Sequence, residues 1–137
     1  MNYIIGLDIG DKRIGIAISD SMGLGVRAHD TVNIENFMEF FTKLIEEYCS
    51  QEIIVGLPKH KDGTDSEQTT KVRDYVAKLA KSYPKLDFKF ENEILTSSEA
   101  KSRLKERGIK LTEANKGLID SEAAAIILEQ YFDHIFH

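Results

Sequence analysis

Three acidic residues, Asp8, Glu93 and Asp120, occupy positions from which their carboxylates could act together. Asp8 follows the apolar residues 3–7, where a carboxylate is disfavoured and costly to bury unless a cation or N–H donors compensate it. Glu93 comes just after a segment of strand character. Asp120 opens the last predicted helix, on the face that must pack against the rest of the protein. We therefore interpret the three residues as candidate catalytic and metal-binding acids.

Each of these acids also has a purely structural interpretation. Asp8 could organise the turn from Gly6 to Gly10, and Glu93 could be a solvent-facing residue at a strand end. Asp120 could be a first-turn acid that interacts with the helix dipole, which is worth about 0.3–1 kcal/mol. Glu91 competes with Glu93, because strand alternation cannot choose between them without the register. The joint presence of the three acids favours the catalytic interpretation.

Converging carboxylates would define the chemistry of such a site. Three of them repel one another strongly in poorly solvated surroundings, so that a bound cation would be needed. Oxygen ligands select hard ions, Mg²⁺ or Mn²⁺ rather than Zn²⁺. Two such ions about 3.5–4 Å apart can activate a water and stabilise the departing oxygen in phosphodiester hydrolysis. The acids thus predict a metal-dependent hydrolase with a two-metal mechanism.

The charge distribution restricts how nucleic acid could be bound. The net charge is −5, which argues against an indiscriminate nucleic-acid binder. Residues 93–116 are an exception, since they carry six basic and four acidic side chains. A helix surface of mixed charge explains this stretch as well as a phosphate-binding surface does. Any nucleic-acid site must therefore be local.

The composition is that of an ordinary globular protein. The 137 residues suit one domain, 1–137, with 42% hydrophobic and 30% charged residues. Cys49 is the only cysteine, which excludes an intramolecular disulfide and favours a reducing compartment. No apolar run approaches the roughly 18 residues of a membrane span, and no export signal is evident. We expect a cytoplasmic protein without a membrane partner.

Hydrophobic periodicity predicts the elements that position these side chains. Residues 3–8, 13–19 and 25–32 have strand character and predict an antiparallel meander of three strands. Residues 37–48 repeat apolar side chains at offsets of three and four, which predicts an amphipathic helix with Asn33 as its cap.

The second half of the chain alternates strands and helices. Residues 52–57 form an apolar strand of the kind covered on both faces. Capping-box spacing at residues 64–67 and 96–99 begins two helices, residues 86–90 form a strand between them, and residues 119–132 form the last helix. Right-handed crossovers then make an α/β protein with a mixed five-stranded sheet, an antiparallel three-stranded meander plus parallel strands, flanked by helices.

Convergence of the acids depends on the order of the strands. In a sheet whose first and fifth strands are neighbours, the ends of these strands would bring Glu93 within reach of Asp8. The sequence alone does not establish this order.

Four segments, read in order, resemble those of a known family. They are Gly6-Leu7-Asp8-Ile9-Gly10-Asp11-Lys12-Arg13-Ile14-Gly15; Val55-Gly56-Leu57-Pro58 with Asp62-Gly63-Thr64; Glu93-Ile94-Leu95-Thr96; and Asp120-Ser121-Glu122-Ala123-Ala124-Ala125-Ile126-Ile127-Leu128. The chain is identified by them, over nearly its whole length, as a member of the YqgF or RuvX type of Holliday junction resolvases, also described as pre-16S rRNA nucleases.

The resemblance implies a ribonuclease H-like nuclease domain that depends on Mg²⁺ or Mn²⁺. It implies catalytic and metal-binding roles for Asp8, Glu93 and Asp120, and so favours Glu93 over Glu91. The cellular role that the resemblance implies is 5′-end processing of the 16S rRNA precursor in ribosome biogenesis, with Holliday-junction cleavage in branched DNA as the alternative. Ribosomal particles are a further partner it allows, and we expect a monomer or a weak homodimer. The family's usual Asp-Glu-Arg-Leu stretch reads Asn92-Glu93-Ile94-Leu95 here, without the first acid and the arginine.

Basic residues near the acids are the expected contacts to nucleic acid. Those in the loops and in the basic helix are Lys12, Arg13, Lys59, Lys61, Lys101, Arg103, Lys105 and Arg107. His60 is better interpreted as a surface residue than as a general base.

Two rival functions use the same residues differently. The segment from Asp8 to Arg13 is similar to the first phosphate-binding loop of the actin, sugar-kinase and Hsp70 superfamily, whose members bind ATP between two such domains, whereas this chain supplies one. A non-catalytic RNA- or ribosome-binding module could instead keep the fold and dock through the basic helix around residues 101–107.

Overall fold

Nine helices and strands, with two short 3₁₀ turns, make up the part of the chain that the structure describes. The computed structural model describes residues 2–93 and 96–136. The strands are β1 (Tyr3–Ile9), β2 (Arg13–Asp20), β3 (Arg27–Asn33), β4 (Glu52–Pro58) and β5 (Asp87–Glu93). The helices are α1 (Phe37–Tyr48), α2 (Glu67–Ser82), α3 (Thr96–Glu106) and α4 (Lys116–Phe136), and the 3₁₀ turns are Ile34–Asn36 and Glu113–Asn115.

The five strands form one sheet in the order β3-β2-β1-β4-β5. The β1–β2 and β2–β3 pairs are antiparallel, and the β1–β4 and β4–β5 pairs are parallel. This confirms the mixed five-stranded sheet with its antiparallel meander. The first and fifth strands are not neighbours, however, because β4 lies between them. Their composition explains this order: the apolar β4 is buried along its length, whereas the largely exposed β5 suits an edge.

Strand alternation divides the core between the two faces of the sheet. On one face, α1 and α2 pack on alternate residues of β1, β2 and β4, such as Leu7 and Val55. On the other face, α4 packs on the residues between them, including Ile4 and Ile54. Helix α3 lies against α4, where Ala100 meets Ala123 and Ile126. Asp8 has the same strand parity as Ile4, and so it faces α4.

Helix α4 is longer than the sequence pattern predicts, since it begins at Lys116 and ends at Phe136 rather than spanning residues 119–132. Every residue from Ser121 to Leu128 is buried. These central residues lie between the sheet and α3 and are buried on all sides, whereas residues 133–136 at the end of the helix are exposed and add no apolar face to the pattern. No helix within residues 2–93 and 96–136 combines the length and apolar character needed to cross a bilayer.

The helix starts differ from the predicted caps. Ser66, not Thr64, is the N-cap of α2, and it forms a capping box with Thr69. The backbone N–H and the hydroxyl of Thr64 both donate to Asp62 in the preceding turn, which explains why Thr64 does not cap. Asn33 precedes a 3₁₀ turn and makes no side-chain cap, and Thr96 is the first residue of α3 rather than the residue before it.

Candidate active site

The carboxyl groups of Asp8 and Glu93 lie within hydrogen-bonding reach of each other. They meet although a strand separates them, because β4 has a glycine at the crossing point. A Cβ on Gly56 would lie 3.3 Å from Oε2 of Glu93 and 2.3 Å from Cδ1 of Ile127. The absent side chain therefore leaves room both for the acid pair and for the close approach of α4.

Burial and mutual repulsion disfavour charge on this pair. Removal from water raises the pKa of Asp8 well above its ordinary value, and the charges of Glu93 and Asp120 raise it further. Burial also raises the pKa of Glu93, although hydrogen bonds from Thr96 and Asp8 oppose that shift. The two groups thus favour sharing one proton, with Asp8 as the donor and Glu93 as the acceptor.

Thr96, interpreted from sequence only as a helix cap, has a direct contact in the site. Its hydroxyl donates to Oε1 of Glu93, and the Thr96 side chain is buried. Glu93 is the last residue of β5, so this bond ties the end of the strand to the start of α3. Beside it, Pro58, Ser97 and Ser98 complete the wall of a depression of about 270 Å³. The three-residue spacing from Glu93 to Thr96 was the available signal for this contact.

Asp120 lies on α4, one turn after its start, and its carboxylate is bound to Arg13. Nε of Arg13 donates to Oδ2 of Asp120 at 2.7 Å. The backbone of α4 comes unusually close to β2 here, because a Cβ on Gly15 would lie only 2.0 Å from the carbonyl oxygen of Asp120. Asp120 is near enough to Asp8 for its charge to raise the pKa of Asp8. The three predicted acids thus lie around one end of the sheet.

The two buried carboxyl groups suit the binding of a hard divalent cation better than a direct carboxyl–carboxylate contact. A cation relieves the repulsion that helps to raise the pKa of Asp8 and compensates the burial of both carboxylates, and carboxylate oxygens are the ligands that Mg²⁺ and Mn²⁺ prefer. Over residues 2–93 and 96–136, no group of three acidic, histidine or cysteine side chains is arranged to hold a metal ion. Asp120 is the third acid of the set, and it is turned toward Arg13.

The structure distinguishes Glu91 from Glu93 by their partners rather than by strand alternation. The two residues share one face of β5, so alternation could not have separated them. Glu91 is buried and its carboxylate lies 2.7 Å from Nδ1 of His134. Glu93 contacts Asp8 and Thr96 instead.

Some basic residues in the loops form ion pairs with acidic residues, and others are exposed. Arg13 pairs with Asp120, and Lys59 lies 3.5 Å from Asp65. Lys12 and Lys61 are exposed. Lys12 and Arg13 line a second depression of about 270 Å³, together with Gly10, Asp11 and Asp120.

The basic residues of the third helix divide into two groups. Arg103 and Arg107 face α4, where Arg103 pairs with Glu129 at 2.7 Å and Arg107 pairs with the buried Glu122 at 2.5 Å. These two arginines therefore join α3 to α4, a role that sequence reasoning missed. Lys101 and Lys105 are exposed, and neither makes an ion pair to the described residues. Of the two departures from the family's Asp-Glu-Arg-Leu stretch, Asn92 is exposed in β5, and Ile94 lies outside the described residues.

Comparisons with known proteins give one family. A family model described as "RuvX: Holliday junction resolvase" matches residues 2–134. A protein of Gloeothece citriformis named "Putative pre-16S rRNA nuclease" is 39% identical over 132 residues, which cover 94% of this chain and 86% of that protein. A protein of Halothermothrix orenii with the same name is 38% identical, over 96% of this chain and 94% of its own.

Solved structures confirm the ribonuclease H-like fold. The chain is similar to Thermus thermophilus RuvC in complex with a Holliday junction substrate, with a TM-score of 0.57 and 14% identity over 98% of this chain and 96% of that one. The structure of Thermus thermophilus RuvC alone gives a TM-score of 0.55 with 10% identity over the same shares.

Proposed function

The chain belongs to the RuvX family of Holliday junction resolvases, and we propose that it is a metal-dependent endonuclease that cleaves phosphodiester bonds in structured nucleic acid. The favoured substrate is the 16S rRNA precursor, cut at its 5′ end during ribosome biogenesis, because the similar curated proteins carry the name of pre-16S rRNA nucleases. Its setting would be the cytoplasm, with free precursor RNA or ribosomal particles as partners and the protein a monomer or a weak homodimer.

One observation carries the proposal: the carboxyl groups of Asp8 and Glu93 meet across Gly56. A purely structural role would not account for two acids whose pKa values are both raised by burial and which lie against each other at one end of the sheet. Such a pair is stabilised when a cation takes the place of the shared proton.

The residues that would hold Mg²⁺ or Mn²⁺ are Asp8, Glu93 and Asp120. Two such ions, when bound, activate a water and stabilise the departing oxygen of a phosphodiester. Thr96 orients the carboxylate of Glu93 through its hydroxyl. Arg13 orients Asp120 and presents the rest of its guanidinium toward the depression that it lines with Lys12, where a substrate phosphate would be bound.

The nucleic acid would be held by lysines around the same end of the sheet. Lys12 and Lys61 lie in the loops that follow β1 and β4, and Lys101 and Lys105 lie on α3; all four are exposed. Lys59 is close to them but shares its charge with Asp65. Because Arg103 and Arg107 are engaged with acids of α4, we assign them to the packing of the helices.

A second candidate substrate is a four-way DNA junction, which the description of the family favours. The same acids would serve, since two-metal hydrolysis acts on the phosphodiester group that RNA and DNA share. The difference would lie in how the helical arms of the substrate are bound.

The test is cleavage of a radiolabelled precursor-rRNA fragment and of a four-way DNA junction, each with Mn²⁺ and with chelator. We expect cutting of the RNA that needs Mn²⁺ and falls by at least about 10³-fold in Asp8→Asn, the size of loss typical for essential groups of a catalytic site. Asp87→Asn is the matched control, because Asp87 is exposed at the start of β5, the end of the strand opposite Glu93, where it pairs with Lys89 at 3.7 Å.

The outcomes separate the candidates. Cutting confined to the junction would replace the RNA substrate with DNA. Binding of either probe that Asp8→Asn leaves unchanged, without cutting under any condition, would support a non-catalytic module and overturn the nuclease proposal.

A further inference from the structure

Arg13 connects the two kinds of group that the proposed reaction requires, an acid and a phosphate contact. Its Nε donates to Oδ2 of Asp120 at 2.7 Å, and both side chains keep solvent access, with 31% and 23% of their surface exposed. The two terminal nitrogens of Arg13 make no hydrogen bond to the described residues. Arg13 and Lys12 both line the second depression, together with Asp120.

The backbone around this pair leaves only the side chains free to move. The carbonyl oxygen of Arg13 accepts a hydrogen bond from the N–H of Gly10 at 2.9 Å, and the carbonyl oxygen of Lys12 accepts one from Ile34 at 2.9 Å. On the helix side, the contact with Gly15 holds the backbone of Asp120 against β2. A change in the partner of Asp120 is therefore a rotation of its carboxylate, without movement of an element.

The acid site is incomplete while this pair is intact. Asp8 and Glu93 contact each other, and the charge of Asp120 reaches Asp8. Yet the described residues contain no three-acid group arranged for a metal ion. The ion pair with Arg13 accounts for this, since it holds one oxygen of Asp120 on the side of the guanidinium.

We propose that Arg13 is a positioning residue that couples the two steps of substrate recognition: it holds Asp120 until a phosphate of the nucleic acid takes over its guanidinium, and Asp120 then completes the cation site with Asp8 and Glu93. This inference rests on the proposed function. A guanidinium binds phosphate and carboxylate through the same N–H donors, so the two anions compete for it. Because linkage is reciprocal, nucleic acid must then raise the affinity for the cation, and the cation must raise the affinity for nucleic acid by the same factor.

The experiment measures Mn²⁺ affinity by the electron paramagnetic resonance signal of free Mn²⁺, with and without a hairpin RNA whose integrity is checked on a gel after each titration. Without RNA, we expect Arg13→Gln to bind Mn²⁺ about tenfold more tightly than the natural protein, because Asp120 is released. With RNA, we expect the natural protein to gain about tenfold in Mn²⁺ affinity and Arg13→Gln to gain little.

Two further variants separate positioning from a general change in charge. Lys12→Gln removes the same charge from the same depression without removing a partner of Asp120, and in the absence of RNA it should change Mn²⁺ affinity by less than about twofold. In an Asp120→Asn background, Arg13→Gln should have no effect, because the two substitutions act through one contact.

The inference is overturned if Arg13→Gln does not tighten Mn²⁺ binding, if Lys12→Gln has an equal effect, or if the effect of Arg13→Gln persists beside Asp120→Asn. Any of these results in a protein that binds Mn²⁺ and cuts RNA would leave the proposed function intact. Absence of Mn²⁺ binding in every variant would overturn both.

Discussion

The folded protein disfavours ionisation of Asp8. Its carboxyl group is removed from water and lies against Glu93 within the field of Asp120. Catalytic groups commonly lower the stability of the folded protein in this way, because the arrangement that serves the reaction places like charges close together. The contacts that Asp8 needs for the proposed activity should therefore lower the free energy of unfolding measurably.

We predict that Asp8→Asn is more stable than the natural protein at pH 7. The neutral amide donates to Glu93 without the cost of burying a second charge, and each unit by which the pKa is raised corresponds to about 1.4 kcal/mol. A gain of at least about 1 kcal/mol in the free energy of unfolding, or about 4 °C in Tm, should follow. Urea and thermal unfolding measure it, and Asp11→Asn should stay within about 0.5 kcal/mol.

The pH dependence of this gain has a definite sign. Because the folded pKa of Asp8 lies above its unfolded value of about 3.9, the folded protein binds more protons than the unfolded chain between the two values. The contribution of Asp8 to stability therefore falls as the pH rises through that interval. The advantage of Asp8→Asn should grow from about pH 4 upward and then level off. An advantage that shrinks with rising pH would contradict the raised pKa.

At the scale of elements, the packing of α3 on α4 depends on a buried acid. Glu122 is buried in α4 and lies 2.5 Å from Arg107 and 3.9 Å from Arg103. The start of α3 carries Thr96, whose hydroxyl binds Glu93. The ion pairs between the helices thus help to set the position of a residue in the site.

We predict that Arg107→Gln lowers the free energy of unfolding by about 1–2 kcal/mol, less than for a fully buried pair because Arg107 is half exposed and Arg103 remains. Lys105→Gln, on the same helix, should leave stability within about 0.5 kcal/mol and weaken binding of a fluorescent RNA hairpin. Urea unfolding and fluorescence anisotropy measure the two effects. Equal losses of binding at matched stability would show that both residues contact nucleic acid.

At the scale of the whole molecule, an acidic protein must bind a polyanion through one region of its surface. The net charge is −5, while exposed lysines lie in the loops after β1 and β4 and on α3, the helix in which Thr96 contacts Glu93. Long-range repulsion by the remaining surface is screened at physiological salt, so the local lysines can dominate binding.

We predict that the logarithm of RNA affinity falls with the logarithm of salt concentration with a slope of about −3 to −5, as expected when the four exposed lysines and Arg13 contact phosphates. Lys61→Gln should reduce the magnitude of this slope by about 1. Lys85→Gln, an exposed lysine near the opposite end of β5, should leave it unchanged. Anisotropy titrations at several salt concentrations give the slopes, and an unchanged slope in Lys61→Gln would remove that lysine from the contact surface.

Local residue patterns were sufficient to predict the helices and strands and the mixed sheet. They also identified Asp8 as a carboxylate whose burial requires a cation or hydrogen-bond donors. Amphipathic periods and the alternation of strands are properties of short segments, and folding preserves them because they determine which face is buried. The four segments between Gly6 and Leu128, read in order, also identified the family, which the comparisons confirm.

Only the tertiary structure decided which distant groups meet. It placed β4 between β1 and β5, and it brought the acid pair together at Gly56. It also paired Arg107 with Glu122 and Arg13 with Asp120, residues that are far apart in the chain. Strand order and side-chain partners depend on the simultaneous packing of every element, and no short stretch of sequence contains that information.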